Sequence, residues 1–183
     1  VGFPTSTSKL VLCSVLLLLP IILALIGLFL VRIPPHANNI ILLTMLITVP
    51  VLVVLIFLPK KFFPNEIFPL LLFVISLSLL LQIMLLSSNL QGFDIFGENA
   101  VFRITLANLH WDPSMFGRLS AMLSITVLPT AYSLVLNMDP VWVLKLVYPL
   151  IFAFVPLGLY QMYKSRMSIE ISFFSAFFFV SNL

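Results

Sequence analysis

The sequence predicts an all-α fold: a polytopic transmembrane helix bundle with an external loop of interfacial helices between the third and fourth full spans. Three observations predict it. Of 183 residues, 62% are hydrophobic and only 8% charged, against about 25% charged in ordinary soluble domains. A soluble core of this size would leave much of that apolar area facing water. Four runs reach the roughly 20 apolar residues that cross a bilayer. The few charges gather at the ends of those runs or in one stretch between the third and the fourth.

The first run covers residues 10–31 and is closed by Arg32 and the breaker Pro34-Pro35. The second, 40–58, opens after Asn38-Asn39 and closes at Pro59-Lys60-Lys61. The third, 67–87, follows Asn65-Glu66, a cap residue and an acid that suit a helix N-terminus. Residues 1–87 thus form a three-helix portion. The fourth, 141–163, follows Asp139 as a cap and Pro140 at the first helical position, which needs no N–H donor. Lipid offers unpaired backbone groups no partner, so all four are expected to be helices, kinked at the interior prolines among Pro20, Pro50, Pro69, Pro149 and Pro156.

Residues 164–183 are expected to hold a turn and the start of a truncated span, "EISFFSAFFFVSNL". With Val1 at the other end, the chain reads as a fragment of a larger polytopic protein. The first run is too long for a signal-peptide core and has no A-x-A cleavage site. Cys13, the single cysteine, permits no internal disulfide and no cysteine-based metal site. The net charge of +3 is scattered singly or in pairs, so no basic patch exists for nucleic acid.

Orientation follows from the basic residues. Lys60 and Lys61 precede the third run, Lys164 and Arg166 follow the fourth, and Lys9 precedes the first. The positive-inside rule puts the N-terminal end and loops 59–66 and 164–170 in the cytoplasm, against the single Arg32. Residues 88–140 must then begin and end outside, and cross either twice or not at all. That segment holds one further apolar run, 119–138, interrupted by Ser120, Ser124, Thr126, Pro129, Thr130 and Ser133. Interfacial or re-entrant helices are expected there.

Segment 88–140 also concentrates the polar chemistry: four of the six acids, with Arg103, His110, Trp111 and Arg118. In a helix, Asp94 and Glu98 share one face at i, i+4 spacing. Two carboxylates so placed can hold a divalent metal, or one can act as a general base. Asp94 capping a short helix while Glu98 complements its dipole accounts for the spacing as well. Arg103 and Arg118 have the planar forks that grip phosphate, or lipid headgroups. His110 is a candidate phosphate or acceptor contact, and Trp111 an interfacial anchor. "HWDPS" reads as a turn into a helix with Asp112 as its cap and Pro113 at its first position. Lys145, one turn into the fourth run, either snorkels to the surface or meets substrate. The spans hold almost no ionisable residues, which disfavours a transporter. No nucleotide, zinc-protease or serine-hydrolase motif is present.

The stretch from "LLLQIMLLSSNLQGFDIFGENAVF" through "AMLSITVLPTAYSLVLNMDPVWVLKLVYPLIFAFVPLGLYQMY" resembles a family of large, uncharacterised archaeal multi-pass membrane proteins, chiefly of methanogens. Their pattern is a span, a G-x-D-I-x-x-E loop, a "MLS-I…LP" segment and a "YPL-I-F…PLGLY" span. The layout is similar to the glycosyltransferase-C superfamily, whose first large external loop carries acids just after an outward-going helix. The resemblance implies a polyprenyl-phosphate-linked sugar donor, a glycan or protein acceptor, and a divalent metal, Mg or Mn. It makes Asp94 the catalytic carboxylate, as general base or metal ligand, and Glu98 the second acid. Arg103, His110, Arg118 and Lys145 become substrate-binding candidates. Asn99 stands where an aromatic residue is often expected, and three spans rather than one precede the loop. The competing expectation is a non-enzymatic scaffold or assembly protein, with Asp94 and Glu98 as helix-end residues. Membrane lipids are partners on either reading.

Overall fold

The computed structural model describes residues 7–31, 38–56, 63–115 and 117–182. Among them every regular element is helical. Three helical stretches are long and apolar enough to cross a membrane: Val11–Val31, Asn65–Leu85 and Pro140–Lys164. The second apolar run is described as a 17-residue apolar helix, Ile40–Ile56. Arg32, Pro34, Pro35, Lys60 and Lys61, on which run boundaries and orientation depend, lie outside the described residues.

The chain forms two compact units, residues 1–86 with 151–183, and residues 87–150. In the first unit, α1 (Thr7–Val31) packs on α2 (Ile40–Ile56) and α3 (Phe68–Leu85). Its inward stripe is Leu17, Pro20, Ala24, Gly27 and Leu28. Gly27 is needed there: a Cβ would lie 2.6 Å from the Leu42 side chain, so the two helices touch backbone to side chain. The opposite stripe exposes Val11, Val15, Leu18, Ile22, Leu25 and Phe29. A helix apolar on its exposed face as well as its packed one is built for hydrocarbon rather than water. Hydroxyls in these helices bond back to their own turns, Thr48 to the Thr44 carbonyl at 2.7 Å and Ser78 to Val74 at 2.6 Å. Such bonds satisfy those two donors within the helix, whereas the Ser76 hydroxyl of α3 is buried without a partner.

A 3-10 turn, Asn65–Ile67, leads into α3. The expected Asn65 cap is absent: Pro64 occupies the cap position, no side chain caps the turn, and the Asn65 Oδ1 is buried without a partner. Proline at the entry already removes one of the orphan donors a cap would serve.

The second unit contains α4 (Phe93–Asn108), α5 (Arg118–Ala121), α6 (Val127–Leu136) and α7 (Pro140–Trp142). Here α4 is the hub and contacts α5, α6 and α7. Phe102 of α4 is buried with Leu90, Val143 and Leu144. Between α4 and α5 the chain departs from expectation. "HWDPS" opens no helix. Instead the Asp112 carboxylate accepts the Ser114 N–H at 2.8 Å and its hydroxyl at 2.6 Å, a closed Asx turn. A carboxylate spent on this local turn is no longer available to a helix end.

The fourth run is a relay rather than one uniform helix. After α7 comes a π-helical turn, Val143–Val147, then α8 (Tyr148–Phe152), a turn at 153–154, α9 (Val155–Lys164) and finally α10 (Ile169–Ser181). Prolines account for both interruptions. Pro149 has no N–H for the Lys145 carbonyl four residues back, and its ring crowds that carbonyl. The preceding turn widens, so that the Tyr148 N–H reaches Val143, five residues back. Pro156 likewise has no N–H for Phe152, and the Phe154 N–H bonds Ile151 at 3.1 Å instead. In the first unit α9 packs on α3 and α10, with Phe73 against Phe154 at 4.7 Å and Phe68 against Phe173 at 5.3 Å.

Candidate functional site

Helix α4 begins at Phe93, with Gly92 at its N-cap in a left-handed conformation (φ 115°) and no side chain capping it. Asp94 is therefore inside the first turn, not the cap. Its carboxylate complements the positive end of the helix dipole, is exposed, and has no ion pair or side-chain hydrogen bond among the described residues.

The 100° step of the helix sets Asp94 and Glu98 about 40° apart. Phe102 and Thr105 fall in the same sector, and both are buried. Glu98 thus stands one turn above the packed core of the second unit, half-buried, whereas Asp94 reaches solvent at the open end.

Packed against the cluster around Phe102 are two tyrosines, Tyr132 and Tyr148. The tyrosine rings meet edge to face, with centroids 6.5 Å apart and planes at 85°. The Tyr148 hydroxyl donates to the Ser124 carbonyl in the break between α5 and α6. Asn99, beside Glu98, has a buried Oδ1 without a partner. Sequence reasoning missed Tyr132 and Tyr148. A signal for the tyrosines was present: the chain uses Phe 18 times and Tyr only four. Where Phe serves for burial, a Tyr marks a hydroxyl that needs a partner.

Lys145 lies inside the π turn and is 2% exposed. It does not snorkel. Its Nζ donates to the Ser87 carbonyl at 2.5 Å, tying the π turn to the loop that delivers α4. A buried ammonium is tolerable only when it is held in such bonds.

The remaining candidates do not converge on Asp94 and Glu98. Arg103, nine residues past Asp94, projects from the opposite side of α4 by the same 100° step. It pairs at 3.7 Å with Asp139, both side chains about half exposed at 48% and 53%. Asp139 also accepts the Val141 N–H at 2.8 Å as the cap of α7, where Pro140 takes the first position. His110 lies beyond the far end of α4, whose 16 residues span roughly 24 Å at 1.5 Å per residue. It lines a small cleft with Thr105, Asn108, Asp112 and Ser120. In that cleft the Ser114 hydroxyl and N–H hold the Asp112 carboxyl below its usual range. Trp111 donates from Nε1 to the Ser120 carbonyl at 2.8 Å, a structural bond that fixes the cleft's rim. Arg118 is exposed at the start of α5. It is the basic residue nearest in sequence to the α4 contact, because Leu119 would meet a Cβ at Gly97 at 3.4 Å.

No group of three or more His, Cys, Asp and Glu side chains that could hold a metal occurs among the described residues. A cation at Asp94 and Glu98 would have two protein ligands. That is the number Mg2+ commonly takes when water and phosphate complete its octahedron. Comparison with protein-family models, with curated proteins and with solved structures found no match.

Proposed function

We propose that the chain is the membrane-embedded part of a glycosyltransferase-C-like enzyme of the cell membrane, a polytopic bundle with residues 88–140 at the outer face. It would move a sugar from a polyprenyl-phosphate donor to a glycan or protein acceptor. The observation that carries the reading is the asymmetry of the acid pair on α4: Asp94 is open to solvent, and Glu98 is half-buried one turn further along. A carboxylate open to an incoming acceptor with a second, more enclosed one on the same helix face suits a base and its supporting acid.

In the reaction, the acceptor hydroxyl gives its proton to the Asp94 carboxylate as its oxygen bonds the sugar C1. The C1–O bond to phosphate breaks, and the polyprenyl phosphate leaves with the electron pair. Glu98 would orient the acceptor or share a Mg2+ or Mn2+ with Asp94, an ion that would neutralise the departing phosphate. Arg118 is the candidate phosphate contact that fits this arrangement. Arg103 points away, His110 is a helix length distant, and Lys145 acts by holding the loop before α4.

The test compares Asp94→Asn and Glu98→Gln with the unaltered protein in native membranes, reading transfer from polyprenyl-phosphate-linked hexoses. Removing the general base is expected to slow transfer by about 10²–10⁴-fold while leaving thermal stability in detergent unchanged. Transfer within twofold of the unaltered rate in both variants would overturn the proposal.

A second reading, a non-enzymatic scaffold, is favoured by one observation: Arg103, Asp112 and Asp139 all have local structural partners. On that reading the Asp94 and Glu98 substitutions alter stability and no product.

A further inference from the structure

Helix α6 has its polarity reversed relative to a water-facing helix. Thr130 and Ser133 point inward with Pro129, and all three are buried, as is Thr126 just before the helix. Each hydroxyl is satisfied at short range: Thr126 donates to Met122 at 3.0 Å, Thr130 to Thr126 at 2.6 Å and Ser133 to Met138 at 2.5 Å. The opposite sector is formed by Val127, Leu128, Ala131, Leu134 and Val135, all exposed, Val135 at 82%. By the 100° step this stripe spans about 120° of the helix. Residues 119–138 contain no charge at all. A monomer in water does not normally turn its hydroxyls inward and a continuous aliphatic stripe outward.

We propose that α6 lies in the membrane interface, with its Val127–Leu128–Ala131–Leu134–Val135 stripe immersed in the acyl chains of the bilayer that the adjoining Pro140–Lys164 stretch enters. Three features select lipid as the occupant. Only residues 137–139 separate α6 from that stretch, and three residues reach at most about 10 Å, which keeps the C-terminal end of α6 close to where that stretch begins. Asn137 turns the chain there in the left-handed conformation (φ 48°), and Trp142 is exposed in the first turn beyond, as expected of an interfacial aromatic. Finally, the ten residues of α6 measure about 15 Å at 1.5 Å each, half of a hydrocarbon core of about 30 Å. The helix is too short to cross, and amphipathic in the sense of a helix lying flat. This inference is independent of the catalytic reading.

The test places single nitroxide labels on the full chain in a Cys13→Ala background, reconstituted in phosphatidylcholine–phosphatidylglycerol vesicles. Val135→Cys and Ala131→Cys probe the stripe, and Ala107→Cys, exposed on α4, is the aqueous control. The ratio of oxygen to nickel-chelate accessibility is expected to be severalfold higher at 131 and 135 than at 107. The two stripe positions should also lie at similar depth, because a flat helix keeps them level. Nickel access equal to that at 107 overturns the proposal in favour of water. Low access to both reagents overturns it in favour of protein, with dipolar broadening marking a second copy and its absence marking another part of this chain. If Val135→Cys does not insert, Ala131→Cys reports the same face.

Discussion

Among the described residues positive φ occurs at Gly92, Leu109, Gly117 and Asn137, all between residues 87 and 150. In the other unit α1, α2 and α3 run for 25, 17 and 18 residues with none. The exposed faces of α1 and α2 are apolar, and Thr48 and Ser78 bond back to their own turns. The 87–150 unit breaks its backbone repeatedly, buries a lysine in a π turn, and carries most of the chain's acids. The contrast shows where irregular backbone is tolerable. A segment in hydrocarbon must satisfy every N–H and C=O within one helix. Elsewhere side chains and water can complete a cap or a turn, as Asp112 and Asp139 do in the 87–150 unit. At Leu109, which has a Cβ, the left-handed conformation costs about 1–2 kcal/mol, and such strain persists where the surroundings impose it, often near functional sites.

The contrast can be broken most severely at Lys145. Lys145→Glu sets a buried carboxylate against the Ser87 carbonyl and is expected to cost about 3–5 kcal/mol, as an uncompensated buried charge does. Lys145→Met removes the charge and takes the ammonium donor from the Ser87 carbonyl, for about 1–3 kcal/mol. Unfolding in mixed detergent micelles measures both, and equal losses would mean that Lys145 is not held by its charge.

In the regular unit the sensitive point is Gly27. Gly27→Val drives a branched side chain into Leu42 and should destabilise by about 1–3 kcal/mol through overpacking. An unchanged unfolding midpoint would show that α1 and α2 can separate freely.

A smaller effect separates two jobs of one residue. Asp139→Ala removes the α7 cap, worth about 0.5–2 kcal/mol, whereas Asp139→Asn keeps the cap and loses only the exposed Arg103 pair, at most about 1 kcal/mol. Similar losses in the two variants would assign the stability to the ion pair instead.

The smallest effect is electrostatic. Because Ser114 depresses the Asp112 carboxyl in the folded protein, that carboxyl contributes stability above its unfolded pKa, near 3.9, and loses it as pH falls through the lower folded value. Ser114→Ala should return the Asp112 titration, followed by carboxyl-carbon NMR, toward its ordinary range. A titration that does not move would mean the Asx turn is not what holds it.

Much of the regular unit was legible in one dimension. The run over residues 10–31 was expected to be helical because lipid offers its backbone groups no partner, and α1 (Thr7–Val31) covers it. Asp139 and Pro140 announced the start of α7, since cap chemistry involves only neighbours. Where local signals competed, the readings failed. Asp112 could cap a helix or close an Asx turn, and Ser114 two residues on decided for the turn. Asn65 could have capped α3, but Pro64 and the 3-10 turn took its place.

The candidate site was legible only as a pair. The i, i+4 spacing of Asp94 and Glu98 put them on one face of a helix, because helical pitch is a local property of the chain. Which face meets the core is not local. Packing half-buried Glu98 while leaving Asp94 exposed, sent Arg103 to Asp139, and left His110 at the other end of α4. The widened turn that buries Lys145 likewise needed Pro149 to disrupt the register and the Ser87 carbonyl, 58 residues away in sequence, to receive the ammonium. Composition and period state which solvent a segment can live in and how its side chains repeat. Partners distant in sequence are chosen by packing, and they turned a string of polar residues into a site.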